Sequence, residues 1–274
     1  MTAQGKDLGV LDGPVMLFGG PYSNAQATRA LLRAAHRAGV TGARMVCTGD
    51  VVAYCGAPVE TVDLIRGAGC HVVAGNCELQ LAAGADSCGC GFVPGTACDL
   101  LSAGWYGFAN ARIPEDQRDW MRGLPTLAVF THAGKRYGVI HGGVRDVSRF
   151  LWPVSSDAEL EEEWRAAEAV LGPLDAIVAG HSGLPFVRET ARGLWINAGV
   201  IGMPPHDGGA QTRYAILDEG TVRIHNLHYD ASAAAAQMRD VGLTQGYEVT
   251  LQSGYWPSED VLPVSLRVPA RASG

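Results

Sequence analysis

Four short apolar runs in this chain each end in a glycine beside a polar residue. Residues 44–48 lead into Gly49-Asp50, residues 71–74 into Gly75-Asn76, residues 136–140 into His141-Gly142, and residues 175–179 into Gly180-His181. A fifth run, Val15-Met-Leu-Phe18, precedes them and ends in Gly19-Gly20-Pro21. Helical patterns separate the runs at 15–18, 44–48 and 71–74: an Ala/Leu-rich stretch to Ala38 opening on the capping-box pattern Ser23-Asn-Ala-Gln26, and a second stretch from about Pro58 to Arg66. Strand, helix, strand in that order is the pattern of parallel βαβ units, because a parallel pair needs a long crossover. Such sheets place their sites outside the carboxyl ends of the strands, where the polar residues of this series fall.

Beyond residue 76 the pattern is mixed. Residues 84–104 are Gly- and Cys-rich without periodicity and read as an ordered insertion. A helix is expected at about 114–122, then a hairpin of residues 126–132 and 136–140 turning at Ala133-Gly134-Lys135. Residues 157–171 form an acidic-start helix, with Glu early as the helix dipole favours. Short strands near 185–189, 193–196 and 213–228 suggest a second sheet packed on the first, followed by a helix over 231–240. From about residue 241 the chain is a weakly patterned C-terminal extension, in which Tyr255-Trp256-Pro257 would pack on the same or a neighbouring subunit. No repeat or linker divides the sequence, so residues 1–274 are expected to form a single domain.

Composition narrows the partners. A chain of 274 residues, 47% hydrophobic and 18% charged, buries a substantial core without staples. Lys and Arg number 21 against 28 Asp and Glu, a formal charge of -7 with no basic run, which argues against a dedicated nucleic-acid or anionic-membrane binder. No stretch approaches the roughly 20 apolar residues of a membrane span. Residues 1–13 lack a basic segment followed by an apolar core, so the expected location is cytoplasmic. All seven cysteines lie between Cys47 and Cys98. An odd number in a large chain without an export signal argues against a disulfide framework, and buried inert thiols are the expectation for Cys47 and Cys70.

Together with Leu184-Pro-Phe-Val-Arg188 and Asn197-Ala-Gly-Val-Ile-Gly202, the strand-end series resembles the calcineurin-like metallophosphoesterase superfamily. The likeness is greatest to its small bacterial phosphodiesterase and diadenosine tetraphosphatase-like branch, and it spans about residues 15–225. It implies an α/β fold, a four-layer α/β/β/α sandwich of two packed mixed sheets, with two metals that activate a water and clamp a phosphoryl group. The family's motifs are altered here. Its opening Asp-x-His falls on Gly20-Pro21-Tyr22, and its Gly-His-x-His on Gly180-His181-Ser182-Gly183. Its Gly-Asn-His-Asp/Glu becomes Gly75-Asn76-Cys77-Glu78, placing a cysteine where the family has the histidine credited with protonating the leaving group. By that resemblance the ligands private to the first metal are missing, at Gly20, Tyr22 and Gly183, while Asp50, Asn76, His141 and His181 of the second remain. The expectation is a mononuclear site for one divalent transition metal per chain, Fe, Mn or Zn. The alternative is four polar strand-end residues that bind no metal.

The residues assigned to chemistry are Cys77, Tyr22 and His141. Cys77 can ligate the metal, act as a nucleophile, or be an inert replacement. Tyr22 can donate or relay a proton, or pack. Arg145 and Arg149 are candidates to meet a small anionic substrate, with Asn24 and Cys55 bordering the same cleft; solvated or ion-paired arginines are the alternative. Glu78 either orients a neighbour or answers helix-start electrostatics. Cys88-Gly89-Cys90 and Cys98 match no common zinc or iron–sulfur spacing, and either a second, Cys-bound metal or packed or redox-active thiols would account for them. Three functions compete: a metal-dependent hydrolase of a phosphate ester or related small molecule, a metal- or thiol-dependent enzyme with other, redox chemistry through Cys77, and a non-catalytic ligand-binding or regulatory protein. A homo-oligomer is compatible with each.

Overall fold

In the computed structural model of the protein, which describes residues 5–268, two mixed β-sheets share one apolar layer. The second sheet begins with β1 (Gly5–Val10), and the first with β2 (Val15–Phe18), β3 (Met45–Cys47) and β4 (His71–Val72), which run parallel. The second continues through β5 (Leu127–His132), β6 (Lys135–Val139), β7 (Ala176–Ala179), β8 (Phe186–Glu189) and β9 (Leu194–Asn197), in the order β1-β5-β6-β7-β9-β8. The first is completed by β10 (Thr212–Asp218) and β11 (Thr221–Leu227), an antiparallel hairpin that pairs with β2.

Burial of both sheet faces explains why the strand runs show no polar alternation. Val15 and Leu17 of β2 meet Val178 and Ile196 between the sheets. Met16 and Phe18, pointing the other way, pack with Leu31 of α1 (Ala25–Arg37) and Val62 of α2 (Pro58–Ala68). That outer layer also takes α3 (Asn76–Ala83), α4 (Ala97–Asn110) and α5 (Glu115–Arg122). On the far side, Ile177 and Trp195 pack against Trp164 of α6 (Asp157–Leu171). The order is helices, sheet, sheet, helix, the four-layer α/β/β/α arrangement.

Several expectations are corrected. Residues near 213–228 are not one strand of the second sheet: Glu219 and Gly220, both at positive φ, turn them into the β10-β11 hairpin of the first. The later part of 84–104 is not irregular, because α4 starts at Ala97; Gly104 and Gly107 dilute its helical signal, while Trp105, Tyr106 and Ala109 bury its inner face. The helix after β2 is capped by Asn24, whose side chain accepts from the Ala27 N–H, and not by Ser23. Edge strand β1 gave no pattern because it is largely exposed. After α7 (Ala231–Asp240) the C-terminal extension contains α8 (Tyr247–Ser253), too short to show a period. Residues 1–4 and 269–274 of the expected domain lie outside the described residues. Among the described residues no helix is long and apolar enough to cross a membrane.

Candidate metal centre

Loops after β3, β6 and β7 bring Asp50, His141 and His181 into one buried cluster. His141 Nε2 lies 3.0 Å from His181 Nδ1 and 3.3 Å from Asp50 Oδ2, and the last two atoms are 4.0 Å apart. A point equidistant from the three is about 2 Å from each, the length of a zinc–nitrogen or zinc–oxygen bond. His141 Nδ1 is 2.5 Å from the Thr48 carbonyl, which only accepts, so Nδ1 carries a hydrogen and Nε2 is the nitrogen a metal would take in place of a proton. Asn76 is oriented the same way: Nδ2 donates to the Cys88 carbonyl at 2.9 Å, turning Oδ1 to within 3.2 Å of His141 Nε2.

The backbone is bent to make this possible. Asp50 and His181 sit at φ 55° and 60°, in the left-handed region, as do the neighbouring Tyr22 and Tyr54. Such conformations cost on the order of 1–3 kcal/mol each and collect at functional sites. The loops also press together at Gly75, where a Cβ would lie 2.4 Å from Asp50 Oδ1 and 2.8 Å from His141 Cε1. Glu78 fixes this contact, its carboxylate accepting from the backbone N–H groups of Asp50, Val51 and Gly75 at 2.8, 2.8 and 2.9 Å.

Electrostatics suit a cation. Burial alone would raise the Asp50 carboxyl, but His141 and His181 outweigh it and hold its pKa low. Burial and the neighbouring His141 push His181 down to about 3, leaving it neutral with a lone pair to share. Glu78 is pushed up to about 7 by burial and by Asp50. The Cys77 thiol, buried beside Asp50 and Glu78, is raised well above its usual value. Its backbone N–H donates to Asp50 Oδ1 at 3.3 Å.

The other expected site residues are distributed differently. Tyr22 borders the centre; burial and the Asp50 charge keep its hydroxyl protonated. Asn24 is buried, capping α1 and donating to the Gly202 carbonyl at 3.0 Å. Cys55 is likewise core, with its sulfur on the Gly202 carbonyl. Arg149 pairs with Glu162 and Glu163, and exposed Arg145 lies along α6 with Glu161 and Glu162. Neither arginine is among the residues lining the cavity beside His181. The cysteines also depart from expectation. Cys88 and Cys90 are joined as a disulfide, which removes two thiolates from any second metal site, and among the described residues only Asp50, His141 and His181 group as metal ligands.

Sequence reasoning missed the walls. Phe150 lies over His181 with ring centroids 4.3 Å apart, and with Tyr54, Tyr247 and Trp256 it lines a cavity beside that histidine. Asn197 donates to the Gly180 carbonyl and to Ser182 Oγ, holding the loop that carries His181.

The calcineurin-like phosphoesterase superfamily domain matches residues 23–221. The chain belongs to this superfamily. An uncharacterized protein of Methanocaldococcus jannaschii, MJ0912, is 25% identical over 237 residues, covering 78% of this chain and 86% of its own. Among solved structures, a metallophosphoesterase from Sphaerobacter thermophilus superposes with a TM-score of 0.68 at 20% identity, over 89% of this chain and 100% of that one. A hypothetical protein from Pyrococcus horikoshii gives 0.72 at 16% identity, over 89% and 99%. These likenesses are to the metallophosphoesterase fold. Within this calcineurin-like framework, Asp50, His141 and His181 lie at strand carboxyl ends, as the sequence series implied.

Proposed function

We propose that the protein is a hydrolase dependent on a single divalent metal, acting on a phosphate ester or related small molecule. The carrying observation is the triangle of Asp50 Oδ2, His141 Nε2 and His181 Nδ1, with His141 held in the ligating tautomer by Thr48. Asn76 Oδ1 would complete the set, and the imidazole and carboxylate donors suit Zn, Fe or Mn. When bound there, such a metal supplies Lewis acidity, which activates water and polarises the scissile bond.

The chain's own residues supply the rest. Thr48 and Glu78 fix the ligating loops. Tyr22 keeps its proton on Oη and can offer a hydrogen bond to a departing oxygen, where the family uses proton donation by the histidine replaced by Cys77. A single metal is favoured by what occupies the other half of the family's site. A Cβ on Gly20 would meet Tyr22 Cζ and Val200 Cγ1, both at 2.6 Å, and Trp256 packs on Gly183.

The test is elemental analysis of protein purified without chelator, followed by assay with bis(p-nitrophenyl) phosphate. About one metal per chain and hydrolysis that Asp50→Ala abolishes are expected. Turnover unchanged in Asp50→Ala would end the proposal.

A further inference from the structure

The cavity beside His181 allows the substrate to be specified further, on the footing of the hydrolase reading above. It has a volume of about 60 Å³, and its walls include the rings of Tyr22, Tyr54, Phe150 and Trp256 together with Val200 and Val261. His181 and Ser182 provide polar groups. Among the described residues no lysine or arginine lines it, since Arg149 is tied to Glu162 and Glu163 and Arg145 lies along α6. A charged group buried there would lose hydration without gaining a counter-ion, whereas an apolar group would gain by leaving water.

Part of the cavity wall comes from the insertion and from the C-terminal extension, the latter lying beyond the residues the family domain matches. Phe92 and Cys98 come from the insertion and its helix, and Tyr247, Trp256 and Val261 from the C-terminal extension. The segments are joined where the Ala97 N–H donates to Asp260 Oδ2 at 3.0 Å. Trp256 is held in place, its Nε1 donating to the Pro204 carbonyl and its backbone N–H to His206 Nδ1, each at 2.8 Å.

We propose that this cavity binds a neutral aromatic or aliphatic group of the substrate, so that the bond acted on at the metal centre belongs to a molecule with a small apolar end. A buried water needs roughly 10–15 Å³ by the same kind of measure, so the space suits a single ring or a short branched chain.

The test titrates metal-loaded protein with p-cresol and follows tryptophan fluorescence. Saturable quenching that Trp256→Phe removes is expected, with inorganic phosphate failing to displace the probe. Val261→Trp, which fills the cavity, should weaken binding on the order of tenfold or more. Val261→Ala, a milder change, should admit 2-naphthol more tightly than wild type does. No saturable binding, or the same affinities in both Val261 variants, would overturn the proposal, as would displacement by phosphate. Failure of the hydrolase reading looks different: p-cresol binds, yet bis(p-nitrophenyl) phosphate is not cleaved.

Discussion

The two halves of the centre adjoin one another and are built by opposite rules. In the half formed by Asp50, His141 and His181, polar atoms are aimed by backbone groups or by Glu78, at the cost of left-handed backbone at Asp50 and His181. In the half around Gly20, Tyr22 and Gly183, rings and a valine stand in place of ligands, crowding Gly20 and leaving an apolar cavity beside Gly183. The contrast follows from charge. A buried carboxylate needs a counter-ion or a dense set of donors. Asp50 has two histidines beside it, whereas glycine at position 20 brings no carboxylate and therefore no need for a second cation. Once that demand is absent, apolar side chains are the favourable lining for this half.

The largest expected effect is from removing the charge that defines the polar half. Asp50→Ala should reduce bound metal from about one per chain to near zero, read by elemental analysis. The loss should exceed the roughly 10–100-fold that removal of a ligand's supporting hydrogen bond usually costs. Full metal content in this variant would mean that the polar half is not the metal site.

Glu78 comes next, because it holds the polar half without belonging to it. Glu78→Ala leaves three buried backbone N–H groups without their acceptor and should lower stability by about 3 kcal/mol or more in denaturant titration. Its protonation adds a pH signature in metal-free protein. The folded-state pKa, about 7, lies above the ordinary value of 4.5, so the folded protein binds this proton more tightly. The resulting stability is present below pH 4.5 and is lost as pH rises through 7. Glu78→Gln should flatten this part of the profile; an unchanged slope there would refute the assignment.

The comparison also marks what the sequence made legible. The strand-end series was readable because each of Asp50, His141 and His181 follows an apolar run; the sandwich and the ligand roles were legible only through the resemblance that this series carries. Position along a strand says nothing of direction across space, however. Arg149, eight residues beyond His141, turns to α6 because Glu162 and Glu163 lie there. Asn24, placed by the resemblance at the border of the cleft, also caps α1, a demand that its neighbours in sequence make equally. The cavity as a whole was invisible for another reason: Phe92, Phe150 and the pair Tyr247 and Trp256 come from three separate segments, and only long-range packing brings them to His181.

The smallest expected change is the most direct test of why the two halves differ. If only the missing ligands separate this chain from a two-metal enzyme, Tyr22→His combined with Gly183→His should raise the metal count. The packing argues otherwise. Val200 stays against Gly20, where a carboxylate-bearing side chain would have to enter at φ 41° with its Cβ 2.6 Å from Val200 Cγ1. Trp256 stays beside position 183, fixed by Pro204 and His206. Two histidines with no carboxylate beyond Asp50, in an apolar pocket, also lack the charge to hold a second divalent cation against its hydration. The double variant should therefore still bind about one metal per chain by elemental analysis. A second equivalent would show that ligand identity alone, and not the aromatic packing around Tyr22 and Trp256, sets the metal count.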